Sequence, residues 1–202
     1  TDFVAKNDAF KAFVTGVHGI VLANDVADID ALNALDYPGS GRTVAEELTH
    51  QIATIGENMT LRRFQRVDAG QGVVASYVHG AGKIGVLIEL QTESADERVA
   101  ALGKQIAMHV AAAAPQYLNR DAVPAEIVEK EKEIMRVKAI DSGKPENIVE
   151  KMVEGRLRKF YEEVVLLKQA FVFDPDKSVA DALKAAEAEA GAPEPGQSFD
   201  VA

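Results

Sequence analysis

Val73-Val74-Ala75-Ser76-Tyr77-Val78, His79-Gly80-Ala81-Gly82-Lys83 and Ile84-Gly85-Val86-Leu87-Ile88-Glu89-Leu90 follow one another without a gap. Ahead of them come a first run, Met59 to Val67, and its break, Asp68-Ala69-Gly70-Gln71-Gly72. The two glycine-rich breaks have hairpin chemistry, because Gly accepts the positive φ values of tight turns. In the last run Ile84, Val86, Ile88 and Leu90 share one face while Gly85, Leu87 and Glu89 share the other, which is period-two patterning. The stretch therefore reads as an antiparallel meander of three runs with one apolar face. Helices from both sides of the sequence must cover that face, which makes the expected fold class α+β.

Outward from the meander, composition narrows the function classes. The 202 residues, 47% of them hydrophobic, fit one sizeable domain or two small ones with a packed core. A formal net charge of -10 argues against a nucleic-acid partner, since neutralising phosphates takes clustered Lys and Arg. The chain has no cysteine, so it offers neither a disulfide framework nor a thiolate metal site. That fits a reducing, cytoplasmic setting. No segment reaches the roughly 20 apolar residues of a membrane span, and no membrane partner is expected. The sequence opens in mid-pattern at Thr1-Asp2-Phe3 without an initiator Met or signal peptide, so an upstream segment is expected to have been removed.

The flanking segments read as helices. Thr1 to Val17 carries Phe3, Phe10, Val14 and Val17 at spacings of seven, four and three. Lys6 and Asn7 interrupt that stripe. Phe3 then sits one polar turn beyond the packed part, with Asp2 at the helix start where a carboxylate suits the dipole. Phe3 is either an ordinary core residue or a protruding aromatic that plugs into a partner. Val26 to Leu35 is a short helical piece ended by Tyr37-Pro38-Gly39-Ser40-Gly41. Thr43 and Glu46 have capping-box spacing, and Val44, Leu48, Ile52 and Ile55 follow before Gly56 closes the helix. A helix end closed by Gly also lets another backbone approach.

Past the meander, Ser94 and Glu97 repeat the capping box, and a helix runs to Ala114 with Val99, Leu102, Ile106, Val110 and Ala113 on one face. His109 beside that stripe reads as a buried, hydrogen-bonded histidine rather than a ligand. Pro124 opens a helix to about Asp141, and Ser142-Gly143-Lys144-Pro145 turns the chain into another through Val149, Val153, Phe160 and Val164. Two such helices joined by a short turn form an antiparallel hairpin over about 125–163, expected to project as a coiled coil. Val165, Leu166 and Leu167 return to the core. Asp174-Pro175 with Ser178 starts a last short helix through Leu183, and residues 184–202 read as tail or linker.

Reaction chemistry is not visible. His18, His50, His79 and His109 fall on different elements, with no i, i+4 pair for a metal. No phosphate-binding glycine loop or Gly-x-Ser-x-Gly elbow is present. Accordingly no catalytic residue, no metal and no cofactor is assigned, and the chain is not read as an enzyme. His79, in a turn flanked by Gly, suits docking.

Several runs together resemble bacterial translation elongation factor Ts, the guanine-nucleotide exchange factor for elongation factor Tu. They are Thr1-Asp2-Phe3-Val4-Ala5-Lys6, Ile55-Gly56-Glu57-Asn58, Tyr77-Val78-His79-Gly80 with Gly85-Val86-Leu87, and Ile106-Ala107-Met108-His109-Val110-Ala111. Gly143-Lys144-Pro145-Glu146, Glu150-Lys151-Met152-Val153-Glu154-Gly155-Arg156 and Phe171-Val172 continue the same order. The resemblance implies two related α+β subdomains, here 1–70 and 71–183, with the coiled-coil hairpin inserted in the second. It implies further that Asp2 and Phe3 enter the G domain of Tu near its magnesium site, with Ile55, Gly56 and His79 lining the same contact. The family can pair through its core, so a homodimer is an open expectation.

Family members usually carry an N-terminal three-helix module and, beyond the last helix, a further strand and a C-terminal module. Neither is matched here. Two alternatives stay open beside exchange: an interaction scaffold whose coiled-coil hairpin is the working part, and an enzyme built on His79 and Glu57.

Overall fold

The computed structural model describes residues 1–92, 97–141, 143, 145–189 and 200–201. Helices dominate, with small antiparallel sheets, as an α+β chain requires. The chain divides into two compact units, each with its own apolar cluster.

The first unit takes Thr1–Val67 together with Gly80–Lys83. It opens on a 3₁₀ turn, Val4–Lys6, followed by α1 (Asp8–Ala23). The Asn7 side chain accepts from the amides of Ala9 and Phe10 at 2.8 and 3.2 Å and so fixes the helix start. The helix expected from Thr1 to Val17 thus begins later and runs further. Its buried face is Phe13, Val17, Ile20 and Val21, while Phe10 is half-buried and Val14 exposed, a shift in phase from the expected stripe.

Asp28 caps α2 (Ile29–Ala34) by accepting from Ala31 N, which delays that helix beyond the expected Val26. The Pro-Gly breaker is itself a hairpin, between β1 (Asp36–Tyr37) and β2 (Arg42–Thr43). α3 (Val44–Ile55) opens on the expected capping box: Glu46 N donates to Thr43 Oγ1 at 3.3 Å and Thr43 N to Glu46 Oε2 at 2.8 Å. Phe13, Val17, Ile20, Val21, Leu32 and Val44 close the core, with Tyr37 stacked on Phe13 at 5.6 Å.

Met59 to Val67 is not a strand. From Leu61 onward the partly buried positions are Leu61, Phe64 and Val67, with two exposed residues between each, and Leu61 and Phe64 pack on the first core. A period of three cannot sit on a pleated sheet, whose side chains alternate. The expected three-run meander is therefore corrected to a two-run hairpin.

The second unit contains that hairpin. β3 (Gly72–His79) pairs antiparallel with β4 (Ile84–Gln91) from Gly72↔Gln91 to His79↔Ile84, closed by a 3₁₀ turn over Gly80–Gly82. Val73, Ala75, Tyr77 and His79 thus share a face with Leu90, Ile88, Val86 and Ile84. Burial rises along that face from exposed Ile84 to Leu90, which is fully buried.

α4 (Glu97–Ala113) covers it through Val99, Leu102, Ile106 and Ala107. The expected cap Ser94 lies outside the described residues. A Cβ built on Gly103 would meet Ala75 Cβ at 2.9 Å and Leu90 Cδ1 at 3.2 Å, so only Gly admits this approach of helix to sheet.

α5 (Ala125–Asp141) and α6 (Glu146–Val164) run back along one another. Ala139 at the end of α5 packs with Val149 and Val153 early in α6, and Ile127 and Val128 pack with Leu157, Phe160 and Tyr161. Arg136 donates to Glu150 across the pair at 3.0 Å. Of the expected turn, Gly143 has φ +70, and Ser142 and Lys144 lie outside the described residues.

Val165 and Leu166 are buried, as the return to the core requires. β5 (Ala170–Phe171) pairs with β6 (Asp174–Ser178), so Asp174-Pro175 belongs to a strand and the last helix, α7 (Val179–Glu189), starts after Ser178. α7 extends into the stretch read as tail, and β7 (Asp200–Val201) pairs with Gln91 and Leu90 on β4. The intervening residues 190–199 lie outside the description.

His109 is buried beneath this unit as expected. Its Nε2–H donates to Gln169 Oε1 at 2.9 Å, the tautomer required because Nδ1 accepts from Val172 N at 3.2 Å. Gln169 in turn donates to Glu163 O and Ala113 O.

Candidate functional site

Asp2 and Phe3 stand in front of the 3₁₀ turn, not on a helix start. Val4 is buried beneath them, and Phe3 is 82% exposed, which excludes the core reading of that ring. The backbone is fixed by Ala5 N donating to Thr1 O and Lys6 N to Phe3 O. Asp2 reaches Lys83 Nζ at 3.1 Å, so its carboxylate has a partner in the hairpin end rather than in a helix dipole. The turn Val4–Lys6 also packs beside Gly80–Gly82.

The second motif is the end of α3. Ile55 is half-buried, and Gly56 takes φ +78 with its amide on Ile52 O. A Cβ on Gly56 would meet nothing within 4 Å, so the helix tip is open. Glu57 ties the two motifs together. Thr1 Oγ1 donates to Glu57 Oε2 at 2.9 Å and the Thr1 backbone nitrogen lies 2.5 Å from Oε1. Asp2, Phe3, Ile55 and Gly56, separated by more than fifty residues of sequence, are thereby gathered within one unit.

His79 belongs to the other unit. It is exposed, and its Nδ1 stands 2.8 Å from Tyr77 Oη, with ring centroids 5.8 Å apart. A groove of about 250 Å³ beside it is lined by Tyr77, Met108, Ala111, Ala112, Val172 and Phe173. Phe173 is 47% exposed there.

Sequence reading missed Lys83, Thr1 and Glu57 as the ties, and Tyr77 as the partner of His79. Period two could have found Tyr77, two residues before His79 on the same strand face. Nothing local could have found Lys83 for Asp2, because the pair is 81 residues apart. Among the described residues no group of three or more His, Asp or Glu side chains could hold a metal ion, and no helix is long and apolar enough to cross a membrane. Chemically, the gathered residues offer an exposed ring, a carboxylate and an open helix tip: a binding surface.

The family model for elongation factor TS matches residues 1–194. Elongation factor Ts of Syntrophotalea carbinolica is 61% identical over 193 residues, covering 95% of this chain and 64% of that protein. That of Magnetococcus marinus is 52% identical over 193 residues, with 96% and 64% covered. That of Allorhizobium ampelinum is 48% identical over 198 residues, with 96% and 64% covered. The chain thus spans 64% of the length of these curated relatives. With a match running through every element that gathers the exposed ring and the open helix tip, this chain belongs to the elongation factor Ts family.

Proposed function

We propose that this chain binds the GTPase elongation factor Tu and promotes release of its GDP, with Asp2, Phe3, Ile55, Gly56 and His79 as contact residues. The observation that carries the reading is Phe3. A phenyl ring held 82% in water, on a turn braced by Thr1–Glu57 and Asp2–Lys83 beside the α3 tip, is built to be buried by something else. Full burial of such a ring is worth about 1.5–3 kcal/mol, or one to two decades of affinity.

Such a factor need only bind the nucleotide-poor conformation of its partner better than the loaded one. Linkage then weakens nucleotide binding by the same factor. Asp2 supplies a charge that competes in the magnesium region, and Lys83 holds that carboxylate until contact. No covalent step falls to this chain, and the nucleotide and its magnesium belong to the GTPase. The α5–α6 pair is read as an inserted coiled coil within a two-subdomain core, at work in the cytoplasm.

Release of labelled GDP from Tu tests the site. Phe3→Ala and His79→Ala are each expected to slow the stimulated release about tenfold or more. Unchanged acceleration in both variants removes the assignment. Exposed Val137, Ile140 and Ile148 on α5 and α6 favour the scaffold reading, in which deleting residues 133–154 abolishes Tu binding while the Phe3 variant binds normally.

A further inference from the structure

A cleft in the second unit, apart in sequence from every residue of the proposed contact, has a volume of about 490 Å³, within the range of small-molecule sites. Arg120, Leu157, Arg158, Tyr161, Lys168 and Ser178 line it. Tyr161 is only 8% exposed, yet its hydroxyl has no hydrogen-bond partner among the described residues. Tyr161 lines the cleft, and its hydroxyl is not one of the fully buried polar atoms without a partner, so it can donate to an acceptor that enters there.

Arg120 Cζ lies over the Tyr161 ring, 4.4 Å from its centroid. A guanidinium held over a ring face by cation–π attraction still has N–H donors for an oxyanion. Arg158 and Lys168 likewise make no ion pair within 4 Å among the described residues. Glu154 and Glu162 stand four residues to either side of Arg158 on α6, where a solvated helix face would be expected to pair them. Three cations without ion pairs beside the Tyr161 hydroxyl run against the composition of a chain with net charge -10.

We propose that this cleft binds a phosphate monoester. Arg120, Arg158 and Lys168 take the oxyanion, the Tyr161 hydroxyl donates to it, and Leu157 with the tyrosine ring packs the organic body. Three cations and a hydroxyl suit three phosphoryl oxygens carrying about two charges, whereas one arginine alone satisfies a carboxylate. Glu154 and Glu162 leave the lining a net single positive charge, and their carboxylates repel the further negative charges of a polyphosphate or nucleic-acid backbone.

Titration calorimetry of the full chain with phenyl phosphate, and separately with phenylacetate, tests this. Saturable one-to-one binding of phenyl phosphate is expected, weakened about tenfold by Arg120→Ala or Lys168→Ala and about threefold by Tyr161→Phe, which keeps the packed ring. Lys104→Ala, the same charge change on exposed α4, is expected to leave binding unaltered. The assignment is overturned by absence of saturable binding at millimolar ligand, by phenylacetate binding as tightly, or by an equal loss in the Lys104 variant.

Discussion

Glu47 is a carboxylate that does structural duty at the residue scale. It is 4% exposed, accepts from Arg42 Nη1 at 2.8 Å and from Gln51 Nε2 at 2.7 Å, and so is a charge inside the first core. Gln51 first, then Arg42, hold its carboxyl below the usual range against the opposing pull of burial. A carboxyl lowered on folding stabilises the native state above its unfolded pKa of about 4.3, and that contribution is lost as pH falls through the lower folded value. Glu47→Gln is expected to cost about 1–3 kcal/mol at neutral pH and to flatten the acid limb of stability, read by urea unfolding across pH. His109 makes a second case. His109→Leu strands Gln169 Oε1 and the Val172 amide, and a loss of about 2–4 kcal/mol is expected in the same assay. His109 was legible because it sits beside an apolar stripe. Glu47 was not, because its partner Arg42 reaches it only through the β1–β2 hairpin, and a Glu on a helix reads as solvated.

At the scale of elements, α4 and the β3–β4 hairpin are joined through Gly103. Gly103→Ala puts a methyl 2.9 Å from Ala75 Cβ, so helix or strand must shift. A loss of about 1–3 kcal/mol is expected, with faster amide exchange in α4 and β4 by mass spectrometry. Helix ends were the most readable features of the sequence, since Thr43, Glu46 and Gly56 act through neighbours three or four residues away. The phase of α1 was less readable because Phe10 and Val14 match the helical period as well as Phe13 and Val17 do, and only tertiary packing chooses between them. Met59 to Val67 was misread for a related reason. Its apolar residues are frequent enough for a strand, but Leu61 and Phe64, three apart, are the ones that rest on a helical core.

At the scale of the whole molecule, the order of motifs located the surface residues, while the ties between them came from pairs 56 and 81 residues apart that no local pattern encodes. Sheet order carries one more consequence. β7 pairs with only Leu90 and Gln91 of β4, so among the described residues no strand partners the outer side of Ile84 to Glu89. That segment is apolar, rich in β-branched side chains, free of proline and carries one charge, and on the face opposite α4 Leu87 is 48% exposed. Short runs of this kind stack between chains as cross-β fibrils once heating loosens the fold. Leu87→Lys is expected to lengthen the lag of thioflavin-positive aggregation severalfold without lowering helix content, and an unaltered lag would locate the nucleating segment elsewhere. At high concentration the chain's tolerance of crowding then rests on how seldom this ribbon meets its own copy.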